Sequence, residues 1–414
     1  MSKIYSGIRG TSSLDPAETY SFNQIIKKSR NVFDVFGYEE ISLPLLEEEG
    51  LFRRSVGDTT DIVEKQMFKI EGKDIVLRPE GTAQVIRYYL ENSLYKKSDF
   101  YKFSYVGPMF RGERPQKGRL RQFHHIGAEA IGSNSFYLDA EIISLSMRIL
   151  DIIGVREKSL NINTLGCSLD KVNFSKDLKK KLIGNKSKFC QDCQRRIQKN
   201  PLRVIDCKNK TCKSEVATLN IGESHLCSDC RQHFNDLRVL LDELGIDYTY
   251  SPHLVRGLDY YTNTVFEITS SQLGSQDAIG AGGRYNELIQ CLGGPSISAI
   301  GFALGVERLM LILDKSSPRK GISVYVATVD DNLKTQALKL TQQLRGEGIR
   351  VDTGYLKKSL KGQLRYAQKK GAKFVVIMGE EEIAQNSVML KDMDTATQEK
   401  VKIDAVVNKI KSEI

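Results

Sequence analysis

The stretch FRGERPQKGRLRQFHH, residues 110–125, concentrates five cations around a single acid. Guanidinium groups match phosphate oxygens with two parallel hydrogen bonds, and Phe123 offers a ring face on which a base can stack. The same charge run is also typical of a solvated loop whose arginines pair with Glu113. We favour a nucleotide site and keep the solvated loop as the alternative. The five cations are Arg111, Arg114, Lys117, Arg119 and Arg121.

Two other clusters combine charge with residues that constrain or free the backbone. In LRPEGT, Glu80 stands between Pro79 and Gly81, a rigid position followed by a permissive one, which suits a carboxylate held toward an ammonium group. In LVRGLDYYTNTVFEI, Arg256 precedes an acid and two phenols, a combination able to hold an imidazole or a ribose. Each has a structural alternative: a surface turn for the first and a buried tyrosine pair for the second.

Two glycine-rich segments follow. GFALGVERL ends a glycine-spaced strand and begins a helix near Arg308, an arrangement suited to phosphate. GAGGRY, residues 280–285, is neither a Walker loop nor a dinucleotide fingerprint. Its glycines therefore indicate only that the backbone approaches a ligand closely.

Six of the eight cysteines fall between residues 190 and 230, amid lysines. In a large chain that begins without a signal sequence, cysteines indicate reduced thiols or metal ligands rather than disulfides. Two CxxC pairs and a third pair, Cys207-x4-Cys212, have spacings that hold tetrahedral zinc. Six thiols exceed four ligands, and free thiols are the alternative. The predicted structural zinc ligands are the two CxxC pairs, Cys190, Cys193, Cys227 and Cys230.

The composition sets the scale of the protein. The 414 residues carry 61 Lys plus Arg against 51 Asp plus Glu, a formal charge of +10, which favours a polyanionic partner such as nucleic acid. The first residues contain no apolar signal region, and the longest apolar stretch, 299–313, is interrupted by Glu307 and Arg308. We therefore expect a soluble, cytoplasmic protein of two or three domains that has no membrane partner.

The hydrophobic pattern supplies the elements that position these clusters. A helix is predicted from Pro16 to Gly37, followed by an edge or interface strand in EEISLPLL, because Pro44 cannot donate to a central ladder. Alternation in YKFSYV and in the segment after the basic stretch predicts an antiparallel hairpin with the cations at its tip. An apolar helix then ends at Gly154.

The chain divides by composition. Residues 166–240 form a predicted Cys-rich inserted domain between the two parts of a catalytic domain, 1–165 and 241–315. Residues 314–321 have linker composition. In 322–414, strands alternate with helices, which predicts a parallel sheet flanked by helices.

With these clusters in view, the chain resembles the histidyl-tRNA synthetases, a family of class II aminoacyl-tRNA synthetases, over almost its whole length. YEEISLPLLE resembles motif 1 of that class, which builds the dimer interface. GPMFRGERPQKGRLRQFH resembles motif 2, and GFALGVERL resembles motif 3. LVRGLDYY and LRPEGT narrow the resemblance to the histidine enzymes, which use both segments to hold histidine.

The resemblance implies an α+β catalytic domain with a mainly antiparallel sheet, a small inserted domain and a C-terminal α/β anticodon-binding domain. The implied reaction makes histidyl-adenylate from L-histidine and ATP, with Mg²⁺, and then transfers histidine to the 3′ end of histidine tRNA. The implied assembly is a homodimer.

For ATP, the resemblance implies that Arg111 grips the α-phosphate and that Arg256 contacts it from another side, where related enzymes use a metal. Arg308 is implied to cover the terminal phosphates and one adenine face, while Phe123 stacks on the other and Glu113 orients the ATP. Arg111 and Arg256 are the implied catalytic residues, because fixed cations stabilise charge that builds on phosphate without having to reorganise.

For histidine, the resemblance implies that Glu80 and Thr82 hold the ammonium and that Glu129 and Tyr261 bind the imidazole nitrogens. A site with both groups rejects other side chains, because a buried unpaired acceptor costs roughly 1–3 kcal/mol. One position departs from the family, which usually has glutamine where this chain has His125; a neutral imidazole cannot both donate and accept as an amide does. The other implied pocket residues are Tyr260 and Tyr285.

For tRNA, the resemblance implies that the hairpin tip faces the acceptor end and its extra 5′ guanosine. The implied tip contacts are Arg114, Lys117, Arg119 and Arg121. In the C-terminal domain, cations recur at every fourth residue, a helical stripe that suits phosphates or a solvated face. The stripe consists of Lys357, Lys361, Arg365 and Lys369.

Three other functions compete. A noncatalytic regulatory subunit of ATP phosphoribosyltransferase resembles the catalytic domain, but typically lacks the anticodon-binding domain and parts of motif 2, both of which this chain keeps. A noncatalytic RNA-binding module would explain the charge, but not why Glu80, Arg256 and Tyr261 occur together. A synthetase for another amino acid would have to repurpose the histidine motifs.

Overall fold

The computed structural model of the chain describes residues 5–58, 60–207, 209–219, 221–274, 277–313 and 321–414. The chain forms two compact units, Met1–Ser317 and Pro318–Ile414. Of the predicted linker at 314–321, residues 314–320 lie outside the described residues.

The strands are β1 (Glu39–Glu40), β2 (Leu46–Glu48), β3 (Phe68–Lys69), β4 (Ile75–Leu77), β5 (Tyr101–Phe110), β6 (Gln122–Ile131), β7 (Ser159–Thr164), β8 (Thr249–Tyr250), β9 (Thr262–Thr269), β10 (Ala278–Arg284), β11 (Ala299–Gly305), β12 (Val324–Thr328), β13 (Val351–Thr353), β14 (Phe374–Met378), β15 (Ser387–Asp392) and β16 (Gln398–Lys402). The α-helices are α1 (Pro16–Val35), α2 (Glu49–Val56), α3 (Thr82–Glu91), α4 (Phe136–Ile153), α5 (Ser168–Ile183), α6 (Gln191–Lys199), α7 (Leu202–Ile205), α8 (Lys210–Ala217), α9 (Ser228–Glu243), α10 (Leu288–Cys291), α11 (Val306–Ile312), α12 (Lys334–Gly346), α13 (Leu360–Lys369), α14 (Glu380–Ala384) and α15 (Ile403–Glu413). Within the described ranges, none of these helices has both the length and the apolar character that a bilayer span requires.

The first unit is built on an eight-stranded sheet in the order β1-β5-β6-β11-β10-β9-β7-β8. The pairs β1–β5 and β7–β8 are parallel, and the other neighbours are antiparallel. The sheet is therefore mainly antiparallel, as expected. Its longest ladder is the predicted hairpin, in which β5 and β6 pair without interruption from Tyr101–Ile131 to Phe110–Gln122.

The alternation of side chains along β6 divides the sheet into two faces. Ile126 and Ala128 pack into a core with α1, α4, α9 and α11. His125, Gly127 and Glu129 have the opposite parity and lie on the other face. This second face carries the predicted chemistry.

The N-terminal elements are partly as predicted. Asp15 accepts hydrogen bonds from the backbone of Ala17 and Glu18, and the Glu18 carboxylate accepts one from Asp15, so a capping box begins α1. The predicted strand in EEISLPLL is wrong in extent. Only β1, which pairs with β5, and β2, which pairs with β4, form ladders. Residues 41–45 between them form no ladder, although the Ile41 N–H donates to the Ser104 carbonyl and the Leu45 carbonyl accepts from the Arg78 N–H, because Pro44 has no N–H to continue a run of donors.

The Cys-rich region divides between the two faces of the sheet. The apolar residues of α5–α8 share one core with the face that carries the chemistry. By contrast, α9 packs on the helix face beside α4 through Phe234, Leu237 and Leu241. The predicted insert boundary at residue 240 therefore falls inside α9, whose apolar stripe the change in composition did not reveal.

The second unit contains a five-stranded sheet in the order β13-β12-β14-β15-β16. The three strands that alternation with helices predicted, β12, β13 and β14, are parallel. The sheet continues antiparallel through β15 and β16, which the sequence analysis did not predict. Short connections link these last strands, and such connections permit only antiparallel pairing.

Candidate active site

An open cleft lies on the face of the large sheet that carries His125. Segments far apart in the chain line it: LRPEGT, the basic hairpin, LVRGLDYY, β10 and the start of α11. The predicted site residues that line the cleft are Glu80, Thr82, Arg111, Glu113, Arg119, Phe123, His125, Arg256, Tyr260, Tyr261 and Arg308.

Four arginines of the cleft surround one space. Burial lowers the pKa of Arg111, Arg119 and Arg308, and neighbouring guanidinium groups lower it further. These cations repel one another in the ligand-free chain. An anion of high charge, such as a polyphosphate, relieves that repulsion, so the electrostatics of the cleft select for one.

Specific contacts fix these cations in place. The Arg256 Nη1 donates to Glu267 Oε2 at 2.5 Å. The Arg308 Nε donates to the carbonyl of Gly118 at 2.9 Å, which ties α11 to the hairpin tip. The Arg111 guanidinium lies 5.2 Å from the centre of the Phe123 ring. Cations held in this way stabilise developing charge without reorganising.

The hairpin tip separates its cations into two sets. Arg119 forms an ion pair with the buried Glu113 carboxylate and lines the cleft. Arg121 donates from Nε to the Glu113 carbonyl at 3.2 Å. Arg114 and Lys117 are exposed. Arg119 therefore forms the ion pair with Glu113 that the solvated-loop alternative expects. It lies beside the cleft and not at the hairpin tip with Arg114 and Lys117.

Glu129 is the centre of a buried hydroxyl network under the cleft. Its carboxylate accepts from Thr82 Oγ1 at 2.7 Å, Tyr285 OH at 2.5 Å and Tyr105 OH at 3.3 Å. Burial raises the pKa of Glu129 to about 8, although these donors oppose the shift. A methyl group at Gly301 would lie 1.7 Å from Glu129 Oε2, so only glycine leaves room for the carboxylate.

Glu80 is held by the first turn of α3. Its two carboxylate oxygens accept from the backbone N–H groups of Thr82 at 2.7 Å and Ala83 at 2.9 Å. Burial raises the pKa of Glu80. The turn predicted from Pro79 and Gly81 therefore orients a buried carboxylate, not a surface one.

The aromatic residues and His125 complete the cleft. The Tyr260 and Tyr261 ring centres are 4.7 Å apart, and burial raises the pKa of Tyr261 to about 12. Burial, followed by the nearby Arg111, holds the pKa of His125 well below its usual range, so its imidazole is neutral. Within the described structure, its buried Nδ1 has no hydrogen-bond partner.

Sequence reasoning missed three functional positions. Tyr105 bonds to the central carboxylate, Glu267 fixes an arginine, and Glu307 accepts from the His124 backbone at 2.8 Å while lining the cleft. Strand parity could have found Tyr105, because it pairs with Gly127 across the hairpin. No local signal joins Glu267 to its arginine.

GAGGRY lies mainly in a strand. It forms most of β10, and a methyl group at Gly282 would lie 2.3 Å from the Gly301 carbonyl oxygen. Gly280 lines the cleft, in accord with close approach to a ligand. Gly282 instead lets two central strands pack together.

The predicted zinc ligands do not come together. The tetracysteine cluster gathers Cys190, Cys193, Cys207 and Cys212, whereas the aspartate-containing cluster gathers Cys167, Asp170, Cys227 and Cys230. The prediction of one site from both CxxC pairs is therefore wrong. The first CxxC begins α6 on the cleft face, and the second begins α9, which packs beside α4.

Comparisons with known proteins agree along the whole chain. A family model for histidyl-tRNA synthetase matches residues 10–309, and one for an anticodon-binding domain matches residues 323–413. The histidine–tRNA ligases of Halothermothrix orenii and Clostridioides difficile are 42% and 40% identical, over 97% and 98% of this chain and 98% and 99% of theirs. The crystal structure of apo histidyl-tRNA synthetase from S. aureus has a TM-score of 0.81 at 32% identity, covering 99% of this chain and all of that one (100%).

Proposed function

The chain belongs to the histidyl-tRNA synthetase family, class II enzymes that ligate histidine to tRNA, and we propose how its cleft performs that reaction. The observation that carries the proposal is the meeting, in one cleft, of four fixed arginines with a buried carboxylate-and-phenol pocket. The first group suits a triphosphate and the second suits an imidazole.

In the first step, the histidine carboxylate attacks the α-phosphorus of ATP, and pyrophosphate leaves. Arg111 and Arg256 hold the α-phosphate from two sides, and Arg308 covers the terminal phosphates and one adenine face. Phe123 stacks on the other face, and Glu113 orients the ATP through its contact with Arg119. Mg²⁺ enters with ATP as part of the substrate.

Histidine lies against the buried carboxylates. Glu80, which lines the cleft, and Thr82 hold the ammonium. Glu129 and Tyr261 bind the two imidazole nitrogens. Tyr260 lines the pocket, and Tyr285 acts through its hydrogen bond to Glu129.

In the second step, a hydroxyl of the terminal tRNA ribose attacks the carbonyl of the adenylate, and AMP leaves. The exposed Arg114 and Lys117 face the acceptor end, while Arg119 and Arg121 support the tip. In the second unit, α13 presents exposed cations to the anticodon arm. Its cations are Lys361, Arg365 and Lys369, and Lys357 precedes the helix.

The proposed assembly is a homodimer formed through motif 1. Leu45 and Leu46 in that motif are 43% and 51% exposed, which suits an interface between copies. The cytoplasmic location stays a prediction. A structural zinc ion belongs to the insert rather than to the chemistry, because the cysteine clusters lie outside the cleft lining.

The test is ATP–pyrophosphate exchange with each of the amino acids in turn. Exchange that depends on histidine alone supports the proposed first step. Exchange with another amino acid overturns the histidine pocket, and no exchange from folded protein favours the regulatory-subunit alternative. Charging of histidine tRNA then tests the second step separately.

A further inference from the structure

We propose that this chain binds two zinc ions, one in each cysteine cluster. In the tetracysteine cluster all four sulfurs lie within 4.8 Å of one another, and Cys190 Sγ is 3.9 Å from Cys207 Sγ. Four thiolates around one zinc ion at about 2.3 Å are about 3.8 Å apart, whereas a disulfide needs about 2.05 Å. The separation therefore fits a shared ion and not a disulfide.

The backbone around the tetracysteine cluster suits thiolates. Cys190 is the N-cap of α6 and Cys193 lies in its first turn, so both sulfurs lie at the positive end of a helix. The backbone N–H of Cys190 also donates to Cys212 Sγ at 3.3 Å. Three of the four cysteines are buried, which leaves a soft, enclosed ligand set of the kind that selects zinc.

The aspartate-containing cluster is formed by the N-terminal ends of α5 and α9, which supply ligands from the same two positions. Cys167 is the N-cap of α5 with Asp170 in the first turn, and Cys227 is the N-cap of α9 with Cys230 in the first turn. The Cys227 N–H donates to Asp170 Oδ1 at 3.1 Å, and the Cys167 N–H donates to Cys230 Sγ at 3.2 Å. Three sulfurs and one carboxylate oxygen complete four ligands at the base of the insert.

The insert also reaches the active-site loop. Lys171, next to a ligand in α5, donates to the carbonyls of Asp259 at 2.5 Å and Tyr261 at 2.9 Å. Asn200 and Arg203, which lie between the CxxC of α6 and Cys207, donate to the Asp259 carboxylate at 3.2 Å each. The ions would thus hold the helices that position Tyr260 and Tyr261. The two zinc sites do not depend on the residue roles given under Proposed function. Only the expected effect on histidine binding rests on those roles.

The first test is metal content of the full chain purified under reducing conditions. We expect two zinc ions per chain, one after Cys193→Ser, one after Cys230→Ser and two after Cys291→Ser, since the exposed Cys291 belongs to neither cluster. A chain without zinc overturns both sites. A wild-type chain that holds only one zinc ion, lost in both cluster variants, overturns the two-site arrangement, and a variant that keeps both ions overturns the site it alters.

The second test needs no variant and so survives any folding defect. Cys227 and Cys291 are both exposed, but only Cys227 lies in a cluster. We expect iodoacetamide to label Cys291 in the native chain and Cys227 only after a zinc chelator is added. Equal labelling of both residues without chelator overturns the aspartate-containing site. Protection that a reductant removes but a chelator does not shows a disulfide and overturns it as well. These readouts do not use catalysis, so they separate failure of the zinc sites from failure of the proposed reaction.

Discussion

The cleft and the cysteine-rich insert both gather reactive side chains, but they differ in how those charges are balanced. In the cleft, three arginines repel one another and have lowered pKa values, so the site is completed only by an anionic substrate. In the insert, four thiols form one cluster and three thiols with one carboxylate form the other, and the proposed zinc ion in each cluster would balance its ligands. Charges that repel one another are found where a substrate is bound and converted. Complete sets of metal ligands are found in the region that supports that site.

The two regions are nevertheless connected. Asp259 and Tyr261 belong to the cleft loop, yet insert residues hold the Asp259 carboxylate and the backbone of both. If the insert does not support the cleft, substitutions in the insert should leave histidine binding intact. If it supports the cleft, they should not.

The largest expected effect is at Arg256. Arg256→His removes the fixed cation that we propose holds the α-phosphate, so we expect ATP–pyrophosphate exchange to fall by about 100- to 1000-fold. The melting temperature should stay near that of the wild type. Arg148→His, at an exposed position of α4, is the matched control and should exchange normally. Unchanged exchange in Arg256→His would remove this arginine from the mechanism.

The next effect is at Glu129. Glu129→Gln removes the carboxylate of the proposed imidazole site and disturbs three hydroxyl donors, so we expect the histidine KM to rise by about 10- to 100-fold. The KM for ATP should change little, because Arg111 and Arg308 are intact. A histidine KM equal to that of the wild type would exclude Glu129 from the pocket.

Glu129 also predicts a pH dependence of stability. Its pKa is raised from 4.5 to about 8, so between these values the folded chain keeps a proton that the unfolded chain has released. The unfolding free energy of the ligand-free wild type should therefore fall as pH rises through that window. The glutamine in Glu129→Gln cannot titrate, so the melting temperature of this variant minus that of the wild type should increase as pH rises. Parallel melting curves across the window contradict this.

A smaller effect tests the connection between the regions. Lys171→Met removes two hydrogen bonds to the active-site loop, so we expect the histidine KM to rise on the order of tenfold while zinc content stays at the wild-type level. Lys176→Met, exposed on the same helix, is the control. If both variants bind histidine like the wild type, the insert and the cleft are functionally separate.

The smallest effect is expected at His125. His125→Gln restores the amide that is usual in the family. The number of hydrogen bonds at this position changes by at most one, so ATP–pyrophosphate exchange should change by no more than about tenfold. The pKa of His125 lies well below 6.5, so its imidazole stays neutral and the ratio of variant to wild-type exchange should be flat between about pH 6 and 8. A ratio that changes steeply in this range would show that His125 does titrate.

The sequence by itself determined the local elements and the residue types at the cleft. Capping residues and apolar spacing fixed α1, strand alternation fixed the β5–β6 hairpin, and five short motifs identified the cleft lining. These predictions succeeded because each depends on residues that are close together in the chain or on a contiguous sequence motif. The antiparallel extension of the second sheet had no such signal.

Tertiary structure alone decided which distant groups meet. Spacing identified both CxxC pairs, but the packing of α9 beside α4 placed them in separate clusters and recruited Cys167 and Asp170. Likewise, only the folded sheet brought Tyr105 and Tyr285 to Glu129 and set its pKa. Chelation and burial depend on distances in space, and chain spacing fixes these only within a turn or two of a helix.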